Sequence, residues 1–150
     1  EMCIRDSAIF KEHYSKNMLN KTGPYEGVVD VLKALKEKEI PVGIVSNKFD
    51  AAVKGLRDQF FGAYISTAIG ESANVAKKPA PDTCIEAMKE MQIGREGTVY
   101  VGDSDVDIMT AKNSGLECIS VTWGFRDEEF LLEHGATQII HKPEKLLEFF

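Results

Sequence analysis

Short apolar runs alternate with amphipathic segments along most of this chain. The runs at 41–45, 98–101 and 117–121 predict buried strands, and weaker runs predict strands at 64–69 and 138–140. Between these runs, apolar residues recur at helical spacing, as they do at Val28, Val31 and Leu35. They predict helices over 26–38, 49–60, 81–91, 105–114, 127–133 and 143–150. Strands that alternate with helices favour an α/β fold with a parallel sheet covered on both faces.

Two further segments complete the pattern. Residues 8–20 are predicted to be helical, because Ile9, Phe10, Tyr14 and Met18 have helical spacing, and Thr22-Gly23-Pro24 is predicted to end that helix. Residues 70–78 form a polar segment without periodicity, which predicts a loop. No internal repeat or glycine-rich phosphate loop is found, so the nucleotide-binding motifs that depend on such loops are excluded.

Composition limits the classes of function. A chain of 150 residues suits one domain, and its net charge of −6 argues against nucleic-acid binding, which needs a basic face. No apolar run approaches the length of a membrane span, and no secretory signal is found. Cys3, Cys84 and Cys118 are odd in number and widely spaced, which predicts reduced thiols and a cytoplasmic location. The histidines lack metal-ligand spacing.

Carboxylates follow the apolar run at 98–101. Asp103 is predicted at the carboxyl end of a strand and Asp107 in the first turn of the next helix, an edge where ligands bind in open α/β sheets. Converging carboxylates repel each other unless a cation lies between them, and oxygen ligands favour Mg²⁺. Asp105 is interpreted as a helix N-cap. Because acids also stabilise helix starts, the pair alone leaves a structural role equally open.

Two other strand ends carry polar groups suited to a phosphoryl group. Ser46 and Asn47 follow the run at 41–45, and Lys78 lies in the loop after the next strand. A hydroxyl and backbone amides can donate to phosphate oxygens, and an ammonium can neutralise their charge. Each residue alone has an ordinary structural use, as a turn residue or a solvated lysine. Their order along the chain, together with the carboxylates, favours a phosphate site.

The chain resembles the haloacid dehalogenase (HAD) superfamily, and within it phosphoglycolate phosphatase-like proteins, over about residues 8–150. The segments that carry the resemblance are Ile44-Val45-Ser46-Asn47-Lys48, Lys78-Pro79-Ala80-Pro81, Val101-Gly102-Asp103-Ser104-Asp105-Val106-Asp107 and Val121-Thr122-Trp123-Gly124-Phe125. The resemblance implies a Rossmann-like three-layer core. It also implies that Ser46 and the Asn47 amide bind phosphate, that Lys78 neutralises the phosphoryl group and the nucleophile, that Asp103 binds Mg²⁺ directly, and that Asp107 binds it directly or through water.

The family's first motif, an Asp-x-Asp pair that supplies the nucleophile, does not precede Ser46. We therefore expect the chain to be truncated at its amino terminus and inactive as given. Residues 1–20 are interpreted as a remnant of a helical cap, with 1–7 resembling a translated sequencing-adapter junction, and residues 21–150 as the core domain. The family's central first strand is then expected to be missing, which would leave an empty slot in the sheet.

The predicted function is Mg²⁺-dependent hydrolysis of a small phosphomonoester through an aspartyl-phosphate, with phosphoglycolate as the leading substrate and a sugar or nucleotide phosphate as the alternative. Two other hypotheses remain. One is a non-catalytic fragment. The other is a receiver-like signalling module, although that module would need its Lys-Pro after the acidic segment, and here Lys78-Pro79 precedes it.

Overall fold

The computed structural model of the chain describes residues 7–11, 27–65, 67–124 and 126–150. Within these residues, six parallel strands form one sheet in the order β3-β2-β1-β4-β5-β6. The strands are β1 (Ser7–Lys11), β2 (Val42–Phe49), β3 (Thr67–Glu71), β4 (Thr98–Gly102), β5 (Glu117–Val121) and β6 (Ile139–Ile140). β2 and β3 lie on one side of β1, and the chain then crosses to β4, β5 and β6 on the other side, which creates a topological switch point at the carboxyl ends of β1 and β4. The predicted parallel α/β fold is confirmed.

The helices follow the predicted pattern closely. They are α1 (Val28–Glu37), α2 (Asp50–Leu56), α3 (Asp82–Met91), α4 (Asp105–Ser114) and α5 (Glu128–Glu133). A π-helical turn over Arg57–Phe61 extends α2, and a 3₁₀ helix over Pro143–Phe149 replaces the predicted last α-helix. The strand boundaries differ most from the prediction at β2, which continues through Ser46 and Asn47 to Phe49, and at β3, which runs from Thr67 to Glu71 where 64–69 was predicted.

The N-cap of α4 is Ser104 and not Asp105. The Ser104 hydroxyl oxygen accepts a hydrogen bond from the backbone N–H of Asp107, and Asp105 is the first residue of the helix. A serine in extended conformation satisfies one of the free N–H groups of the first turn, which is the purpose of a cap. Gly115 ends the helix at φ 74°, a left-handed conformation that favours glycine.

Alternate residues of the strands fill two separate cores. Ile9, Val45 and Tyr100 point to one face, where they pack with Cys84 of α3 and Ala111 of α4. Their neighbours point to the other face, which α1, α2 and the 3₁₀ helix cover; they include Ala8, Phe10, Ile44, Val99 and Val101. The molecule therefore has three layers, with the central strands buried on both faces.

The helix predicted over 8–20 is wrong at its start, because Ser7–Lys11 forms the central strand β1. β1 pairs in parallel with β2 on one side and with β4 on the other. This pairing satisfies backbone N–H and C=O groups that an empty slot would leave unpaired, and it buries Ala8, Ile9 and Phe10. Pairing with β2 and β4 therefore outweighs the helical spacing of the apolar residues over 8–20. The prediction of an empty slot in the sheet is also wrong, because β1 lies between β2 and β4.

The rest of the helix predicted over 8–20 and its predicted end at Thr22-Gly23-Pro24 lie outside the described residues. The division of the chain at residue 20 stays a prediction, although Ser7–Lys11 contributes a strand to the core sheet. In its described residues, β1 carries no Asp-x-Asp pair.

The cysteines and histidines within the described residues are structural or surface residues. Cys84 is buried, Cys118 is half-buried, and both are free thiols, while Cys3 lies outside the described residues. His134 and His141 are exposed, and their Nδ1 atoms lie 2.9 Å from the Phe130 carbonyl oxygen and the Thr122 hydroxyl, respectively. Over the described ranges, the helices are too short or too polar to cross a membrane.

Candidate functional site

The predicted site residues converge at the carboxyl ends of β2 and β4. Asn47 Oδ1 accepts a hydrogen bond of 2.7 Å from the backbone N–H of Lys78, which ties β2 to the loop after β3. Lys78 Nζ lies 3.0 Å from Asp107 Oδ1, which ties that loop to α4. Residues from separate parts of the chain therefore meet at the switch point, where ligands of open α/β sheets bind.

Lys78 is buried, with 7% of its surface exposed, and its ammonium has fixed partners. Nζ donates to Asp107 Oδ1 at 3.0 Å and to the Tyr100 hydroxyl at 3.4 Å. The loop that carries Lys78 is held from a second direction, because Asn113 Nδ2 donates to the Pro79 carbonyl oxygen at 2.9 Å. A buried ammonium is tolerated only with such compensation, so this lysine is not an ordinary solvated side chain.

Asp107 is fully buried and is the acceptor at the centre of the network. Its Oδ1 accepts from Lys78 Nζ and from the Tyr100 hydroxyl, at 3.0 and 2.7 Å. Its Oδ2 accepts from the Ser104 hydroxyl and from the Asp103 N–H, both at 3.0 Å. Both carboxylate oxygens are therefore engaged, and the Lys78 ammonium places a positive charge beside Asp107.

Tyr100 is the site residue that the sequence analysis missed. It lies in the middle of β4, fully buried, and its hydroxyl contacts both Lys78 and Asp107. Burial, followed by the neighbouring Asp107 charge, raises the pKa of the Tyr100 phenol well above its usual value, so the hydroxyl stays protonated. A signal was present in the sequence, because a tyrosine in a fully buried strand needs a partner for its hydroxyl.

Asp103 is held between backbone segments at the end of β4, with 3% of its surface exposed. Its carbonyl oxygen accepts from the Arg126 N–H at 3.2 Å. A Cβ atom at Gly124 would overlap the Asp103 carboxylate, and one at Gly102 would overlap Asp107. Close approach of these segments therefore requires glycine at both positions.

Ser46 and Asn47 lie on the opposite side of the site. Ser46 is 4% exposed, and its Oγ accepts from the Lys48 N–H at 3.1 Å. Because the oxygen accepts that bond, the hydroxyl proton can still donate to a ligand. Asn47 is exposed, but its side chain holds the Lys78 backbone, a function that the sequence analysis did not anticipate.

The donor set at the end of β4 suits a hard cation only in part. Across the described ranges, no group of three or more His, Cys, Asp or Glu side chains is arranged to hold a metal ion. The carboxylate oxygens of Asp103 are donors of the kind that Mg²⁺ prefers. Those of Asp107 already accept four hydrogen bonds from described residues, so its geometry favours an indirect role.

Comparison with known proteins identifies the family. Residues 2–121 match the family model of haloacid dehalogenase-like hydrolases. Phosphoglycolate phosphatase 1 of Pseudomonas aeruginosa is 33% identical over 141 residues, which cover 93% of this chain and 52% of the relative. Pyrophosphatase PpaX of Halalkalibacterium halodurans is 30% identical over 146 residues, which cover 94% of this chain and 66% of the relative. The chain thus spans about half to two thirds of the length of these relatives.

A solved structure agrees with both the fold and the sequence comparisons. The crystal structure of a candidate phosphoglycolate phosphatase from Lactobacillus delbrueckii superposes with a TM-score of 0.84 at 43% identity. The match covers 87% of this chain and 54% of that one. Because the family model matches residues 2–121, most of this chain, the chain belongs to the haloacid dehalogenase-like hydrolase family.

Proposed function

We propose that this protein hydrolyses small phosphomonoesters with Mg²⁺ through an aspartyl-phosphate, and that phosphoglycolate is the leading substrate. The observation that carries the proposal is the buried Lys78, held by Asp107 and Tyr100 at the sheet edge where Asn47 also lies. An ammonium fixed in a water-poor site stabilises charge on a transferring phosphoryl group without reorganisation during the reaction. The relatives named phosphoglycolate phosphatase support this choice of substrate.

Each site residue has a proposed role. The Ser46 hydroxyl and the Asn47 backbone amide donate to phosphate oxygens, and Lys78 neutralises them. Asp103 would hold Mg²⁺ directly, while Asp107 positions Lys78 and reaches the metal only through water. When bound, Mg²⁺ would supply Lewis-acid polarisation of a phosphoryl oxygen. The free thiols of Cys84 and Cys118 support a cytoplasmic location.

The residues assigned above do not supply the nucleophile of this reaction. In the 150-residue sequence, the Asp-x-Asp pairs are those formed by Asp103, Asp105 and Asp107, which belong to the acidic segment after β4. We therefore propose that the 150 residues bind phosphate and do not turn it over.

Pyrophosphate is the second candidate substrate, because the relative named pyrophosphatase PpaX aligns with 94% of this chain. Both substrates present a phosphoryl group to the same Lys78 and Ser46, so the described residues suit either one. A sugar or nucleotide phosphate stays open on the same grounds. Comparison of turnover rates on a panel of these substrates would choose among them.

A chimera tests the proposal. The part of the Pseudomonas aeruginosa relative that this chain does not match is fused to residues 27–150, so that the relative's own segment can occupy the slot of β1. We expect Mg²⁺-dependent hydrolysis of phosphoglycolate, measured as released phosphate. Asp103→Asn should lower kcat by about 100-fold or more, because metal stabilisation of the transferring oxygen is worth several kcal/mol.

Asp105→Asn is the matched control, since Asp105 carries the same carboxylate two residues away. The chimera with Asp105→Asn should keep most of its activity. Equal losses from both substitutions would contradict the assignment of Asp103, and a stable chimera without phosphatase activity on any substrate of the panel would refute the proposed function.

A further inference from the structure

We infer that Tyr100 is a positioning residue that fixes the ammonium of Lys78 for binding of a phosphate group. The inference rests on the proposed function and deepens it, because it assigns a role to a residue on the buried strand β4, outside the segments that carry the family resemblance. Three distances support it. The Tyr100 hydroxyl lies 2.7 Å from Asp107 Oδ1 and 3.4 Å from Lys78 Nζ, and these two atoms are themselves 3.0 Å apart.

The chemistry of the three groups determines which way the hydrogen bonds point. An ionised carboxylate can only accept, and an ammonium can only donate. The Tyr100 hydroxyl is both donor and acceptor, so it must donate its proton to Asp107 and accept from Lys78. The three groups therefore form a closed triangle with one consistent set of protons.

This triangle restrains Lys78 more than an ion pair alone would. A lysine that contacts only a carboxylate can rotate about its terminal bonds and approach either face of that carboxylate. The second contact, to the hydroxyl, fixes two of the three N–H directions and holds Nζ at one point beside the sheet edge.

The surroundings of Tyr100 make the hydroxyl the relevant part of the side chain. The ring is fully buried among Ile9, Val45 and neighbouring residues of one core, so phenylalanine can occupy the same space. Tyr100→Phe therefore removes the hydroxyl while keeping the packing. Tyr64→Phe is the matched control, because Tyr64 is half-buried in the turn before β3, away from the carboxyl ends of the strands.

The first measurement needs no ligand. In the 150-residue chain labelled with ¹³C at lysine Cε, the two Hε protons of Lys78 should have distinct NMR shifts, because a fixed side chain places them in different surroundings. Lys78→Met identifies the signal by its loss. We expect the two shifts to converge in Tyr100→Phe and to stay distinct in Tyr64→Phe. Unchanged Lys78 signals in a folded Tyr100→Phe variant would overturn the inference.

The second measurement is binding of inorganic phosphate, followed through the amide signal of Asn47. We expect Tyr100→Phe to raise the Kd by about 3–10-fold, the range for loss of one net hydrogen bond, and Tyr64→Phe to leave it unchanged. In the Lys78→Met background, Tyr100→Phe should have no further effect, because the hydroxyl acts through Lys78. An equal Kd for Tyr100→Phe and the unmodified chain, or an equal loss in both backgrounds, would overturn the inference.

The two measurements separate this inference from the proposed function. If the unmodified chain binds no phosphate while the Lys78 signals respond to Tyr100→Phe, the proposed phosphate site fails and the restraint on Lys78 by Tyr100 stands. If phosphate binds in a Lys78-dependent manner and neither measurement responds to Tyr100→Phe, the phosphate site stands and the role of Tyr100 is refuted.

Discussion

Asp107→Asn provides the sharpest test of the network at the end of β4. The substitution keeps the size of the side chain but removes the negative charge that compensates Lys78, whose side chain is 3% exposed. It also replaces one acceptor oxygen by an amide group. Lys78 and Tyr100 donate to one oxygen of Asp107, and Ser104 and the Asp103 N–H donate to the other, so on either side the new NH₂ group would face donors.

The expected cost follows from these contacts. Removal of one partner of a buried ion pair typically destabilises a protein by about 3–5 kcal/mol, because an uncompensated charge stays behind. For a chain of this size, each kcal/mol lowers the Tm by about 2–4 °C, so the Tm should fall by roughly 10 °C. Urea unfolding of Asp107→Asn should show the same loss as a lower midpoint at an unchanged m-value.

Asp105→Asn is the matched control, since Asp105 is half-buried and begins the same helix. It should change the free energy of unfolding by about 0.5 kcal/mol or less, the usual range for substitutions away from such networks. The double variant Lys78→Met with Asp107→Asn should be more stable than the sum of the single losses predicts, because it removes the buried charge together with its partner. Strict additivity, or equal losses at Asp105 and Asp107, would refute the reasoning.

Three further predictions concern the 150-residue chain. It should not hydrolyse p-nitrophenyl phosphate with Mg²⁺, and turnover that Lys78→Ala abolishes would contradict this. Millimolar Mg²⁺ should raise its Tm very little, because no three candidate ligands converge within the described residues; a large shift that Asp103→Asn removes would show a complete site. Burial raises the pKa of the Cys84 thiol to about 11, so at pH 8 iodoacetamide should label Cys84 far more slowly in the native chain than in urea.

The raised pKa of Cys84 also gives a stability effect with a definite sign. A thiol whose pKa is higher in the folded state favours folding while it is protonated, so its contribution is complete below about pH 9, the usual range of the unfolded thiol. The contribution is lost as the pH rises toward 11, the pKa in the folded chain. Cys84→Ser should therefore flatten the fall in stability over this alkaline range.

Local sequence patterns were sufficient for most of the fold. The helix over 105–114 and the strand over 117–121 have the boundaries that the sequence predicts, because a glycine stop ends the helix and an apolar run marks the strand. β1 could not be predicted in the same way. Its residues Ile9 and Phe10 continue into a helical spacing with later apolar residues. Only the partners on both sides, β2 and β4, make the strand more favourable.

Most residues of the candidate site could be predicted from the sequence, but Tyr100 and the contacts among the residues could not. Motif order placed Asn47, Lys78 and Asp107 at neighbouring strand ends, and the structure brings them into contact. The partner that compensates Asp107 could not be read from spacing, because a carboxylate pair looks the same whether a metal ion or a lysine balances its charge. Tyr100 was missed for a related reason: a tyrosine in a buried run indicates that its hydroxyl needs a partner, but the spacing does not show which residues supply it.

The hydrogen bonds of Asp107 link Lys78 to the end of β4. One oxygen of Asp107 holds the Lys78 ammonium, and the other holds the backbone N–H of Asp103. A shift of this single carboxylate would therefore move both the Lys78 ammonium and the end of β4. Ser104 and Tyr100 restrain it from the helix cap and from the sheet, so neither group can adjust alone. The rigidity of the site thus comes from one buried acceptor, which explains why a conservative change at Asp107 should cost more than the same change at Asp105.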